Sequence, residues 1–71
     1  MRTIRVKPVQ GMWLVDNDAK VMPLLFRGGA QAERNAKRLA RGVADGGDHV
    51  QVLVHNLQGL IVGSVVYGPE R

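Results

Sequence analysis

One serine, one threonine and two histidines are nearly the whole stock from which this 71-residue chain could assemble a nucleophile and its base. Nucleophilic catalysis needs a Ser, Thr or Cys beside a base that a third group orients. Thr3 lies in Thr3-Ile4-Arg5-Val6-Lys7 and Ser64 in Leu60 to Tyr67. Both runs read as strands rather than as the sharp turn that presents a nucleophile, so the two hydroxyls are expected to be surface strand residues. His49 and His55 with Asp45 and Asp48 are the one set with metal-ligand side chains close in sequence. They lack the helical i, i+4 spacing of zinc-binding histidines, and no cysteine can pair with them. His55, at the end of a strand, is expected to be a hydrogen-bonded turn residue. Gly28-Gly29 offers free N–H groups at a helix start, but the longer spacing and the Lys-Ser/Thr of a phosphate loop are missing, so it reads as a glycine cap. No catalytic residue, cofactor or metal is expected, nor a small-molecule substrate.

A second kind of chemistry lies in charge. Ten Lys and Arg against six Asp and Glu give net +4, and the excess sits in two places, Met1 to Val15 and Phe26 to Ala44. The second contains Arg27, Arg34, Lys37, Arg38 and Arg41, a stripe that fits phosphates spaced along a nucleic-acid backbone. A solvated basic face is also what an amphipathic surface helix needs. The aromatics are only Trp13, Phe26 and Tyr67, too few to stack successive bases, so any nucleic-acid contact is expected at the backbone.

These residues must be positioned by a small set of elements. Thr3 to Lys7 alternates polar and apolar residues, with Ile4 and Val6 inward, and Pro8 is expected to end its ladder. Gln10-Gly11 turns the chain into Met12 to Val15, where Trp13 is the natural core anchor, and Asp16-Asn17-Asp18 reads as a turn. Lys20 to Phe26 is a short edge strand interrupted by Pro23. From about Ala30 to Ala44, the residues Ala32, Ala36, Leu39, Ala40 and Val43 fall at helical spacing, and Gly46-Gly47 suits the left-handed position past the helix end. Val50 to His55 and Leu60 to Tyr67 form a second hairpin, with a bulge or close approach at Gly63. The expected fold is a single small α+β domain over residues 1–71. It has a small antiparallel sheet of two hairpins in ββ(β)αββ order, with one amphipathic helix packed on one face.

One helix covers one face. If Ile4, Val6, Trp13, Val15, Val52 and Val54 face it, alternation sends Met12, Leu14 and Leu53 to the other side with Arg5, Lys7, Gln51 and His55, as an apolar patch joined by Val62 or Val66 of the last strand and extended by Leu24-Leu25-Phe26. Such a patch marks an interaction surface, and self-association as a homodimer through Met12, Leu14 and Leu53 is expected. Neither disulfides nor a thiolate metal site can staple so short a chain. No apolar run approaches the roughly 18 residues of a membrane span, and the N-terminus lacks the apolar core of a signal peptide. A cytoplasmic, bacterial-type protein is expected.

The landmarks Val6-Lys7-Pro8, Gly11-Met12-Trp13-Leu14-Val15, Ala36-Lys37-Arg38-Leu39-Ala40, Val52-Leu53-Val54-His55, Gly59 and Tyr67-Gly68 stand in an order that resembles the small bacterial domain-of-unknown-function family 2188. The resemblance spans nearly the whole chain and implies the same fold. It implies no catalytic residue, because that family has no established activity.

Overall fold

The structure, a computed structural model, describes residues 1–18 and 22–69. Alternation of apolar and polar residues forms the first hairpin. β1 (Arg2–Val9) and β2 (Met12–Asn17) run antiparallel in a register that sets Val6 opposite Val15 and Val9 opposite Met12. Two residues connect them, both left-handed (Gln10 at φ 50°, Gly11 at φ 79°), as in the type I′ turn that matches strand twist. Pro8 does not end the ladder, contrary to expectation, and pairs with Trp13. It occupies a position whose N–H side faces away from β2, and the pairing of β1 with its other neighbour stops at Val6. No bond is lost there. Nor do Asp16 and Asn17 turn, since both stay in β2 opposite Arg5 and Ile4. The ladder ends one residue later, where the Asp18 carboxylate accepts from the Thr3 N–H at 3.0 Å and the Asp18 N–H donates to the Thr3 carbonyl at 3.2 Å.

The third strand, β3 (Leu24–Phe26), starts only after Pro23 and pairs with β2. Part of the strand expected from Lys20 lies outside the described residues. The helix α1 spans Gly29–Asp45 and buries Ala32, Ala36, Ala40 and Ala44, with Leu39 and Val43 packed at the margin of the core. Alanines four apart keep one face nearly flat, so the helix lies close on the sheet. It ends in a Schellman motif: Gly47, at φ 102°, donates to the Ala44 carbonyl, and Asp48 to the Val43 carbonyl. Asp48 also pairs with Arg2 at 3.3 Å, tying the helix exit to the start of β1.

β4 (Val50–His55) and β5 (Ile61–Tyr67) form the second hairpin. Its register slips between Val54 and His55, opposite Gly63 and Ile61, which leaves Val62 as a bulge beside the glycine. Asn56 knits the loop, its side-chain oxygen accepting from the N–H groups of Gln58 and Leu60 at 2.9 and 3.0 Å.

The two hairpins are not separate antiparallel units. They join in one five-stranded mixed sheet of order β3-β2-β1-β4-β5, with β1 and β4 parallel at its centre. The small antiparallel sheet expected from the sequence is therefore corrected to a mixed one, and β3 is the reason. With two strands before the helix, the returning chain would run antiparallel to β1. A third strand reverses the direction in which the helix starts, so β4 re-enters parallel to β1 through a helical crossover. The core is thin: its largest fully buried side chains are Ile4, Val6, Val15, Val50 and Val52. Trp13, expected as the core anchor, is half-buried and packs against that cluster from one side.

Candidate functional site

The strand hydroxyls and histidines have different partners. The Thr3 hydroxyl accepts from Gln51 Nε2 at 3.1 Å, while Ser64 is exposed on β5. His49 packs its ring against Gly68, where an added Cβ would fall 2.9 Å from the ring, and Asp48 is held by Arg2. Among the described residues no three His, Asp or Glu side chains gather where a metal ion would sit.

His55 is engaged in a way that fixes its tautomer. Its Nδ1 lies 3.1 Å from the Gly59 carbonyl, which only accepts, so Nδ1 carries the proton and donates. Nε2 then accepts from the Arg5 guanidinium, also at 3.1 Å. The hydrogen-bonded turn role expected of His55 is present, and the link to Arg5 is new. Arg5 and His55 are 50 residues apart, and only the parallel pairing of β1 with β4 brings them together.

Helix α1 lies on the face defined by Ile4, Val6, Val15, Val50 and Val52, and no described element packs on the opposite face. Strand alternation places Thr3, Arg5 and Lys7 there from β1, Met12 and Leu14 from β2, Leu25 from β3, Gln51, Leu53 and His55 from β4, and Ser64 and Val66 from β5. Met12, Leu14 and Leu53 therefore share the open face. They do not form an exposed patch at its centre. Leu53 is only 8% exposed, flanked by the hydrogen-bonded pairs Arg5–His55 and Thr3–Gln51. Met12 and Leu14 are half-buried.

The exposed apolar side chains lie at the margins. Leu24 and Leu25 stand on β3, but the larger group is Leu57, Leu60, Ile61, Val62, Val65 and Val66, on β5 and the loop before it. β5 is an edge strand with exposed residues on both faces and neither charge nor proline in its seven residues. Natural edge strands are usually blunted by charge, proline, shortness or a covering element. β3 uses shortness and a preceding Pro23. Apart from the bulge near its start, β5 uses none of these.

The helix presents its basic residues away from the sheet. Arg34, Arg38 and Arg41 are exposed, Lys37 is half-buried, and Arg27 is exposed just before the helix. Arg34 and Arg38 line a shallow groove with Gln31, Asn35 and Phe26. Among the described residues the one ion pair is Arg2–Asp48, so none of these five cations pairs with a described carboxylate. No described helix is long and apolar enough to cross a membrane. No family model, curated protein or solved structure matches this chain.

Proposed function

We propose that this chain is a non-enzymatic interaction module that associates with a second copy of itself through its sheet. The observation that carries the reading is the uncovered side of the sheet together with the uncharged, apolar edge at β5. Leu57, Leu60, Ile61, Val62, Val65 and Val66 together expose on the order of several hundred Å² of apolar surface, at the upper end of what a monomer of this size leaves in water. The thin valine and alanine core supports the same reading, because domains of this length often need stabilisation from association. Burial at about 25 cal/mol per Å² offsets part of the cost of bringing two chains together. Molar mass measured by light scattering from micromolar to millimolar protein tests it. A rise towards twice the chain mass of 7.8 kDa is the expected result, and a constant 7.8 kDa overturns the proposal.

A second reading has its own observation. Arg27, Arg34, Lys37, Arg38 and Arg41 lie outside any ion pair among the described residues and line one side of the molecule, which suits a nucleic-acid backbone. Membership of family 2188 is proposed on the sequence landmarks alone, and a cytoplasmic setting on the lack of any long apolar run.

A further inference from the structure

Backbone geometry identifies which groups of β5 are unspent. The Arg2 N–H donates to the His49 carbonyl at 3.1 Å. In a parallel ladder this directs the main-chain groups of Gln51 and Leu53 towards β1 and those of Val50, Val52 and Val54 towards β5. Their partners Tyr67, Val65 and Gly63 are thereby occupied. The N–H and C=O groups of Ser64 and Val66 point the other way, off the free edge.

We propose that β5 pairs antiparallel with β5 of a second copy about a two-fold axis at Val65, which joins two five-stranded sheets into one. The proposal rests on the self-association reading above and specifies its geometry. The regular part of the strand is Gly63 to Tyr67, bounded by the bulge at Val62 and by Pro69, and Val65 is its centre. With the axis there, the outward groups of Ser64 meet those of Val66 in the partner copy, and the reverse, so all the unspent groups of the regular run are satisfied at once. Val65 then lies directly opposite its own counterpart.

The side chains agree with this partner. An isologous contact sets each residue near a copy of itself or of a near neighbour, and so excludes like charges. Ile61 to Tyr67 contains no ionisable group except the Tyr67 phenol, while the basic residues stand on α1. Val65 and Val66 are 42% and 58% exposed on opposite faces. Pairing therefore brings apolar contacts to both faces of the joined sheet, Val65 against Val65 on the helix side and Val66 beside Ser64 on the other. About an axis at Val65 the contact rests on Ser64, Val65 and Val66, while Leu57 and Leu60 lie beyond the paired run.

Charge substitution at the axis tests the register. In Val65→Lys two ammonium groups would face each other, and in Val65→Glu two carboxylates. Each variant alone should dimerise roughly tenfold or more weakly than the wild type, and an equimolar mixture should regain the dimer because opposite charges then meet. Ser64→Pro is the second variant. It deletes an N–H that points off the edge and leaves the β4–β5 ladder whole, so it should remain folded by circular dichroism yet sediment as a monomer. A wild type that stays monomeric overturns both the self-association reading and this geometry. A wild-type dimer that survives Ser64→Pro and both Val65 substitutions overturns edge pairing alone and moves the contact to the open sheet face. Variants that are monomeric alone and still monomeric when mixed overturn the axis at Val65.

Discussion

The indole of Trp13 occupies the space into which a side chain on Gly29 would grow. A Cβ built on Gly29 falls 3.1 Å from Trp13 Cε2 and 3.3 Å from Cζ2. The glycine at the first helical position is thus a contact requirement more than a capping device. It lets the half-buried ring close the end of the core where β2, β3 and the helix start converge.

This gives a signed expectation for Gly29→Ala. Alanine normally favours a helix over glycine by about 1 kcal/mol. Here the added methyl must displace a ring held between strand and helix, and overpacking of that kind costs about 1–3 kcal/mol. Chemical denaturation should show Gly29→Ala to be destabilising, and in a Trp13→Leu background the same change should be neutral or stabilising. Equal effects in the two backgrounds would show that the ring and the glycine do not touch.

Leu53 and Leu25 share the open face and differ in what truncation should cost. Leu53 is 8% exposed and Leu25 57%. Leu53→Ala should lose about 2 kcal/mol or more of stability, while Leu25→Ala should stay within about 0.5 kcal/mol. Urea titrations that rank them the other way would contradict the burial of Leu53 beneath its polar neighbours.

The pairing of Arg5 with His55 is readable by nitrogen NMR. The ring should carry its proton on Nδ1, since the Gly59 carbonyl needs a donor and the Arg5 guanidinium needs an acceptor at Nε2. Long-range proton–nitrogen correlations should report the Nδ1–H tautomer. A dominant Nε2–H form would mean that Arg5 is not bonded there.

For the nucleic-acid reading, replacing Arg34, Lys37, Arg38 and Arg41 by Gln should abolish duplex retention in gel-shift experiments without altering the unfolding midpoint, because none of the four is buried. Wild-type binding should weaken with salt at a slope of about −0.9 per phosphate contacted. A wild type that fails to retard duplex at low salt removes this reading.

The elements were legible because each rested on a local pattern. Alternation around Ile4 and Val6, four-residue spacing from Ala32 to Ala40, and glycines at Gly11 and Gly47 each determine a conformation without reference to the rest of the chain. The assignment of Met12, Leu14 and Leu53 to the face away from the helix also followed from period two alone. What alternation does not carry is pairing between strands distant in sequence. The direction of β4 depends on whether Leu24 to Phe26 makes a strand, a three-residue event next to a proline. Leu53 stands opposite Arg5, between the Arg5–His55 and Thr3–Gln51 hydrogen bonds, only because β1 and β4 pair in parallel. Alternation therefore assigns residues to the open face without giving their exposure: Leu53 is covered while Val66 stays in water, and that the last strand lies at a free edge is a property of the sheet.

Amide hydrogen exchange at Ser64 and Val66 tests the edge contact most directly. Both N–H groups point off the free edge of β5 and have no partner strand among the described residues, whereas those of Val65 and Tyr67 face β4. In dilute protein Ser64 and Val66 should exchange much faster than their neighbours, and raising the concentration into the dimer range should slow these two selectively. Exchange at Ser64 and Val66 that stays fast at every concentration would contradict the account.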